Sequence, residues 1–327
     1  MNDIYFDRNY GKLYEKIENG KVVIYKLKTS NGIITNQFIK REIPIEIDNH
    51  KYYDIVTPYG YGGPVIEKIS GDKDTLLLEY EENFSKYCKK NYIVAEFIRF
   101  HPLANNALDF KTIYEVTYNR HTLGTNLKEY DDPVASEFSK SCKQNIRKKL
   151  ALGMSYRITL NPKDLSTFKD CYYSTMERNE ATDYYYFDDS YFEMIKKYFG
   201  NNTILVEVIY ENRTIAAGLY FLWNKVIHIH LSGTLKEYLH LSPAYILRYA
   251  ITKWGKENGY ELIHHGGGRS SNEDDSLYLF KKQFAKNTRF DFYLGKKTWN
   301  IEIYNELCNK KGVSKESDYF PAYRKEN

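Results

Sequence analysis

Between His264 and Phe284 the chain reads HHGGGRSSNEDDSLYLFKKQF: two imidazoles, three glycines in a row, a run of acids and a lysine pair. Gly266, Gly267 and Gly268 open backbone conformations closed to other residues and let another molecule approach the main chain. The plainer alternative is a simple turn. A P-loop is excluded, because no Gly-Lys-Ser/Thr follows. His264 and His265 close a run, ELIHH, that reads as a strand, so their side chains should alternate and one should face an open site. A neutral imidazole there could accept the proton of an attacking amine; otherwise it satisfies a backbone partner. Asp274 and Asp275 open the next helix, where a carboxylate suits the positive dipole end or, alternatively, recognises an ammonium group. His228, His230 and His240 complete no ligand set, so no metal is expected.

Lys140, Lys143 and Arg147 recur at three- and four-residue spacing and so share one helix face. Such a stripe could follow the phosphates of tRNA or lie on anionic lipid, or it is simply a solvated face. The net charge of +4 demands no nucleic acid but tolerates an anionic substrate. Cys88, Cys142, Cys171 and Cys308 form no C-x-x-C pair, and the first three sit in amphipathic helical stretches as buried thiols would. No G-x-S-x-G elbow occurs, so a covalent intermediate is not expected. No apolar run is long enough to span a membrane, and the polar start MNDIYFDRNYGKLYEK does not read as a secretory signal. The expected location is the cytosol, with the inner face of the membrane as an alternative.

The elements that must position these groups follow from periodicity. Strands are expected at 21–28, 39–47, 92–100 and 112–119, with 52–64 a strand that runs into a Gly/Pro-rich loop and a helix over 75–91 whose apolar residues recur at helical spacing. Past Asp132 come a helix over 132–153, a strand at 155–160 and helices over 162–180 and 190–200. Three strands across 204–234 follow, then a helix over 241–259 with Ser242 as cap, Pro243 at its first position and Gly259 at its stop. A strand at 261–265, a helix around LYLFKKQFA and a strand at 288–295 complete the order. KYCKKNYIVAEFIRFHP in the first half answers KWGKENGYELIHHGGG in the second, each a helix end followed by a strand that stops at a histidine. The expected class is α+β: two domains of one kind, residues 1–131 and 132–327, each a mixed twisted sheet flanked by helices.

TPYGYGGP (57–64), SKSCKQNIRKKLALG (139–153) and the HHGGG…DSLYLFKKQF block resemble, in that order, the FemAB-type acyltransferases of the GNAT superfamily. The resemblance runs from about residue 50 to residue 295. It implies two tandem GNAT-like domains and transfer of an acyl or aminoacyl group from an activated ester to an amine of a cell-envelope or peptidoglycan-type precursor. Family members that build peptide bridges draw on aminoacyl-tRNA. By the same resemblance the lysine after the Phe of the "F-K" motif, here Lys281, stabilises the donor carbonyl. The first domain holds the acceptor, which places Tyr59, Tyr61, Arg99 and His101 at the substrate. Arg99 would grip the phosphate of a nucleotide-sugar or lipid-linked acceptor, or form a structural ion pair.

Two departures narrow the implication. No charged heptad run long enough for a coiled-coil arm is present. GTLKEYLHLSPAYIL (233–247), where acetyl-CoA-dependent relatives keep a Gly-rich turn for pyrophosphate, is a poor phosphate cradle. No tightly bound cofactor is expected; acyl-CoA and aminoacyl-tRNA both stand as co-substrates. The alternatives are a transferase strictly dependent on aminoacyl-tRNA and a GNAT-fold binding protein without chemistry.

Overall fold

The computed structural model describes residues 3–325. In chain order the first strands are β1 (Gly20–Lys28), β2 (Gly32–Glu42), β3 (Tyr53–Val56), β4 (Val65–Ile69), β5 (Ile93–Arg99) and β6 (Glu115–Asn126). They continue as β7 (Ser155–Leu160), β8 (Thr203–Tyr210), β9 (Arg213–Trp223), β10 (Val226–Thr234), β11 (Leu262–Gly266) and β12 (Thr288–Thr298). The helices are α1 (Arg8–Leu13), α2 (Lys73–Lys90), α3 (Pro133–Glu137), α4 (Lys140–Ala151) and α5 (Ser166–Arg178). After them come α6 (Asp189–Phe199), α7 (Ala244–Glu257), α8 (Ser276–Lys282) and α9 (Ile301–Lys311).

Two compact units emerge, one running up to Asn119 and taking in the stretch from Asp291 onward, the other spanning Arg120–Phe290. In the first, the strand order is β1-β2-β3-β5-β12, with β4 also paired to β2. β3 and β5 run parallel, and α2 lies between β4 and β5 in the chain. Asp72 caps α2 by accepting from Thr75 N at 2.7 Å. Its buried stripe of Leu76, Leu77, Tyr80, Phe84 and Cys88 packs with Ile34, Phe38, Ile55, Ile93 and Ile98. The second unit has the order β6-β11-β10-β9-β8-β7. Here β10 and β11 are the parallel pair and α7 the crossover, burying Ile246, Leu247, Ala250 and Ile251 against Val206, Ile215, Ile227 and Ile263. The expected α+β class and the repeated local plan, a helix feeding a strand parallel to its predecessor, are therefore present in each unit.

Four readings of the sequence are corrected. The single division at 131/132 misses the return of the chain: β12 pairs with β5 from Leu294↔Arg99 to Thr298↔Ala95. Helix α9 then buries Tyr304, Leu307 and Cys308 with Ile43, Ile47 and Val94 of the first unit. The strand expected over 39–47 stops at Glu42, because Pro44 lacks the ladder donor. The helix expected over 132–153 is two: Phe138 turns extended and buried, and Ser139 starts α4 afresh by accepting from Cys142 N at 3.1 Å. Ser242 does not cap α7; it sits in the left-handed region at φ 50°, and Pro243 occupies the cap position. Among the described residues no helix is long and apolar enough to cross a membrane, and the longest, α2, has 18 residues.

Candidate active site

The parallel ladder of β10 and β11 runs from Val226↔Leu262 only to His228↔His264. Beyond it β10 bulges between Ile229 and Leu231, and β11 bulges against β6 between His264 and Gly266. Bulges re-aim side chains and end pairing, and here they free the glycine loop from the sheet. Gly266 sits at φ +72°, which favours glycine. Gly268 is needed for space, since a Cβ there would lie 2.5 Å from Asp275 Oδ1 and 3.0 Å from Tyr278 Cβ. Asp275 caps α8, accepting from Tyr278 N at 2.8 Å and from Arg269 N and Ser270 N at 3.0 Å each. Those hydrogen bonds hold its carboxyl below the usual range against the opposing effect of burial.

Lys281, on the last turn of α8, reaches back to the loop and donates to Gly267 O at 2.6 Å. Arg120 of β6 donates to Gly268 O at 2.7 Å and to Ser270 O at 3.0 Å. The glycine loop thus presents its carbonyls to two cations, and Lys281 is half-buried rather than extended into water. Burial lowers its pKa to about 7, with Arg248 and Arg120 acting in the same sense and Asp275 opposing them. An ammonium with so loose a hold on its proton is a strong donor to an oxygen gaining negative charge.

The histidines do not divide between a buried and an open face. Both are 2% exposed. The bulge breaks the strict alternation: His264 Nε2 meets Thr122 Oγ1 at 3.0 Å and His265 Nε2 meets Thr125 Oγ1 at 2.8 Å, both threonines on β6. Thr125 donates its hydroxyl to Phe284 O at 2.7 Å, so it accepts from His265 and fixes the proton on Nε2. Burial, then Arg248, Lys281 and His264, push the His265 pKa well below its ordinary range and keep the ring neutral.

Arg248 had no place in the sequence argument. It lies on α7, only 5% exposed, and donates from Nη1 to Tyr220 OH at 3.2 Å, while its Nε is buried without a partner. The signal was legible: one arginine inside the apolar run AYILRYAI. Arg178 and Arg269 form a second unforeseen pair of cations, with burial and then Arg269 lowering the pKa of Arg178.

Lys140 and Lys143 line an open groove of about 490 Å³ together with Lys282, Lys286, Phe138 and Leu279. Arg147, one turn further along α4, is exposed and outside it. In the first unit, Arg99 donates to Thr57 O at 3.2 Å and lies 5.3 Å from the Phe97 ring; no ion pair with a carboxylate engages it among the described residues. Tyr59 and Tyr61 are half-buried on a loop where Gly60 and Gly63 have φ +93° and +83°. His101 is fully buried, accepting from Ala104 N at 3.1 Å on Nδ1 and standing 3.3 Å from Asp3 Oδ1 on Nε2. It braces a loop and offers no surface to a substrate, because the chain before α1 folds over it.

The profile of the acetyltransferase (GNAT) domain family matches residues 136–275, ending just before α8. A curated relative, the UDP-N-acetylmuramoylpentapeptide-lysine N(6)-alanyltransferase of Weissella viridescens, is 24% identical over 173 residues, 52% of this chain and 50% of the relative. The chain therefore spans about half the length of the curated relative it matches. Among solved structures, FemX superposes with a TM-score of 0.67 at 13% identity, covering 93% of this chain and 94% of FemX. L-PGS from Bacillus licheniformis superposes with a TM-score of 0.54 at 14% identity, covering 90% and 92%. Domain profile, relative and fold point the same way: residues 136–275 match the acetyltransferase (GNAT) domain family, and the chain is similar in sequence to a Fem-type alanyltransferase and in fold to FemX.

Proposed function

We propose that this protein is an N-acyltransferase that passes an aminoacyl group from an activated ester to a primary amine of a peptidoglycan-type precursor. The observation that carries the reading is Lys281, held 2.6 Å from Gly267 O at the mouth of the disrupted β10–β11 ladder. The acceptor class is suggested by the alanyltransferase activity of the Weissella viridescens relative toward the lysine of a UDP-N-acetylmuramoylpentapeptide. In the reaction the acceptor nitrogen attacks the donor carbonyl, the ester C–O bond breaks, and one proton passes from nitrogen to the leaving oxygen. Lys281 donates to the carbonyl oxygen as it becomes an oxyanion, an interaction that strengthens only on the way to the transition state. Direct transfer fits the cysteines, all buried, with burial pushing Cys142 and Cys171 up to about 12. None is a ready nucleophile.

Aminoacyl-tRNA is the donor we favour over acyl-CoA. Pro243 stands at the start of α7 with no N–H to offer a pyrophosphate, whereas Lys140, Lys143, Lys282 and Lys286 surround a groove suited to phosphates. Arg99, Tyr59 and Tyr61 are the acceptor contacts we assign in the first unit. The work would take place in the cytosol, at or near the membrane that carries lipid-linked precursors. The test incubates the purified chain with alanyl-tRNA or acetyl-CoA and a lysine-containing UDP-muramoyl pentapeptide, and reads the amide by mass spectrometry. Product from the charged tRNA alone is expected; no product from either donor would overturn the proposal.

A further inference from the structure

The two tyrosines assigned to the acceptor stand on a loop whose halves are held by different parts of the first unit. The far half is tied to the sheet side: Gly62 N donates to Arg99 O at 2.8 Å, and Asn106 Nδ2 donates to Gly62 O and Pro64 O at 2.9 Å each. The near half, Tyr59 to Tyr61, is met residue by residue by the chain from Asp3 to Tyr14. Tyr10, 1% exposed, donates its hydroxyl to Tyr59 O at 2.9 Å, and the Tyr14 ring stands 5.7 Å from that of Tyr59. Gly60, at φ +93°, lets Tyr5 come so close that a Cβ there would lie 2.4 Å from Tyr5 Cε1. The Tyr5 ring also meets Tyr61 edge-on at 5.3 Å, and His101 and Phe292 close on the same ring at 5.8 and 5.3 Å. The segment is itself fastened to β2, where the buried Gln37 donates from Nε2 to Tyr5 O at 3.3 Å and to Asp7 O at 3.1 Å.

We propose that residues 3–14 form a strap that sets affinity for the acceptor, with Tyr10 as its positioning residue: the Tyr10 hydroxyl and the Tyr5 ring hold Tyr59 and Tyr61 in the one orientation that receives a sugar ring of the precursor. The inference rests on the assignment of those two tyrosines to the acceptor above. Each is half-buried and so offers part of an apolar ring to the C–H face of a sugar, with a phenol to meet its hydroxyls. A loop ordered before the substrate arrives spares the entropy of ordering it on binding. Tyr10 acts through Tyr59 and not on the reacting atoms. Such binding is made equally in the ground and transition states, so it governs KM for the acceptor and leaves kcat alone.

The experiment compares the full chain with Tyr10→Phe, which removes one hydroxyl and keeps the ring, and with Gln37→Leu, which cuts the two bonds that fasten the strap. Backbone order parameters from ¹⁵N relaxation should fall at Gly60 and Tyr61 from about 0.85 toward about 0.6. Gly62, bonded to Arg99 O, should keep its value. KM for the lysine-containing UDP-muramoyl pentapeptide should rise about three- to tenfold in Tyr10→Phe, the worth of one hydrogen bond. Its kcat and its KM for alanyl-tRNA should stay at their wild-type values, a split that a general loss of structure would not give. Unchanged order at Gly60 and Tyr61 in both variants overturns the proposal. So does a loosened loop with an unmoved acceptor KM when Tyr61→Ala raises that KM. If Tyr61→Ala leaves the acceptor KM unmoved, the assignment of Tyr61 to the acceptor fails and this inference with it. The order parameters tell that failure from a failure of the strap.

Discussion

Glu96, on β5, is 1% exposed and fully hydrogen-bonded. Its Oε1 accepts from Asn36 Nδ2 at 2.8 Å, and its Oε2 accepts from Tyr114 OH and Trp299 Nε1 at 3.0 Å each. Burial outweighs these bonds and the Lys297 charge, and raises its pKa from 4.5 to about 7. The folded state therefore binds more protons here than the unfolded state between these values. The contribution to stability is complete below 4.5 and is lost as pH rises through about 7. A gap of roughly 2.5 pH units at 1.36 kcal/mol each amounts to about 3 kcal/mol. Glu96→Gln should abolish that slope while costing about 1–3 kcal/mol at low pH, since its amide would set N–H against the Trp299 donor. Depressed histidines such as His230, lowered to about 3 by burial and His228, act in the opposite sense, so the difference between the two proteins is the informative quantity. Urea unfolding read by Trp299 fluorescence, with Trp223 and Trp254 replaced by Phe in both, measures it from pH 4.5 to 8. The cost of Glu96→Gln should shrink steadily as pH rises. A cost that stays constant or grows would refute the reasoning.

Other expected outcomes bear on the site. Gly268→Ala drives a methyl against Asp275 and should loosen the start of α8, lowering stability by about 1–2 kcal/mol and kcat about tenfold or more; thermal unfolding and single-turnover rates report the two. Asp275→Ala leaves three N–H groups uncapped and removes the negative charge that supports the Lys281 ammonium. The alkaline fall in rate should then shift to lower pH, seen in a pH–rate profile. Reversing Lys140 and Lys282 to Glu should weaken tRNA binding and flatten its salt dependence, read by filter binding at several salt concentrations, while leaving the KM for the acceptor unchanged.

The parts legible beforehand were those set by local pattern. The stripe of α2, the strand–helix–strand order of β10, α7 and β11, and the glycine loop followed from spacing and breakers. What escaped depended on contacts distant in sequence. Nothing local says that β12 returns to β5, or that Asp3 comes to stand beside His101. Alternation along ELIHH predicted one exposed histidine because a bulge, which depends on the partner strand, cannot be read from five residues. Arg248 was hidden by the opposite habit: a charge in an apolar helix is taken for its solvated edge, and its burial depends on Gly218 and Tyr220 on another element.

The role of Lys281 is tested most directly by single-turnover amide formation with both substrates saturating, comparing the wild type with Lys281→Ala near neutral pH. The account predicts a loss of about 100-fold or more in the transfer step, with substrate binding nearly intact. A variant that forms the amide at the wild-type rate would contradict it.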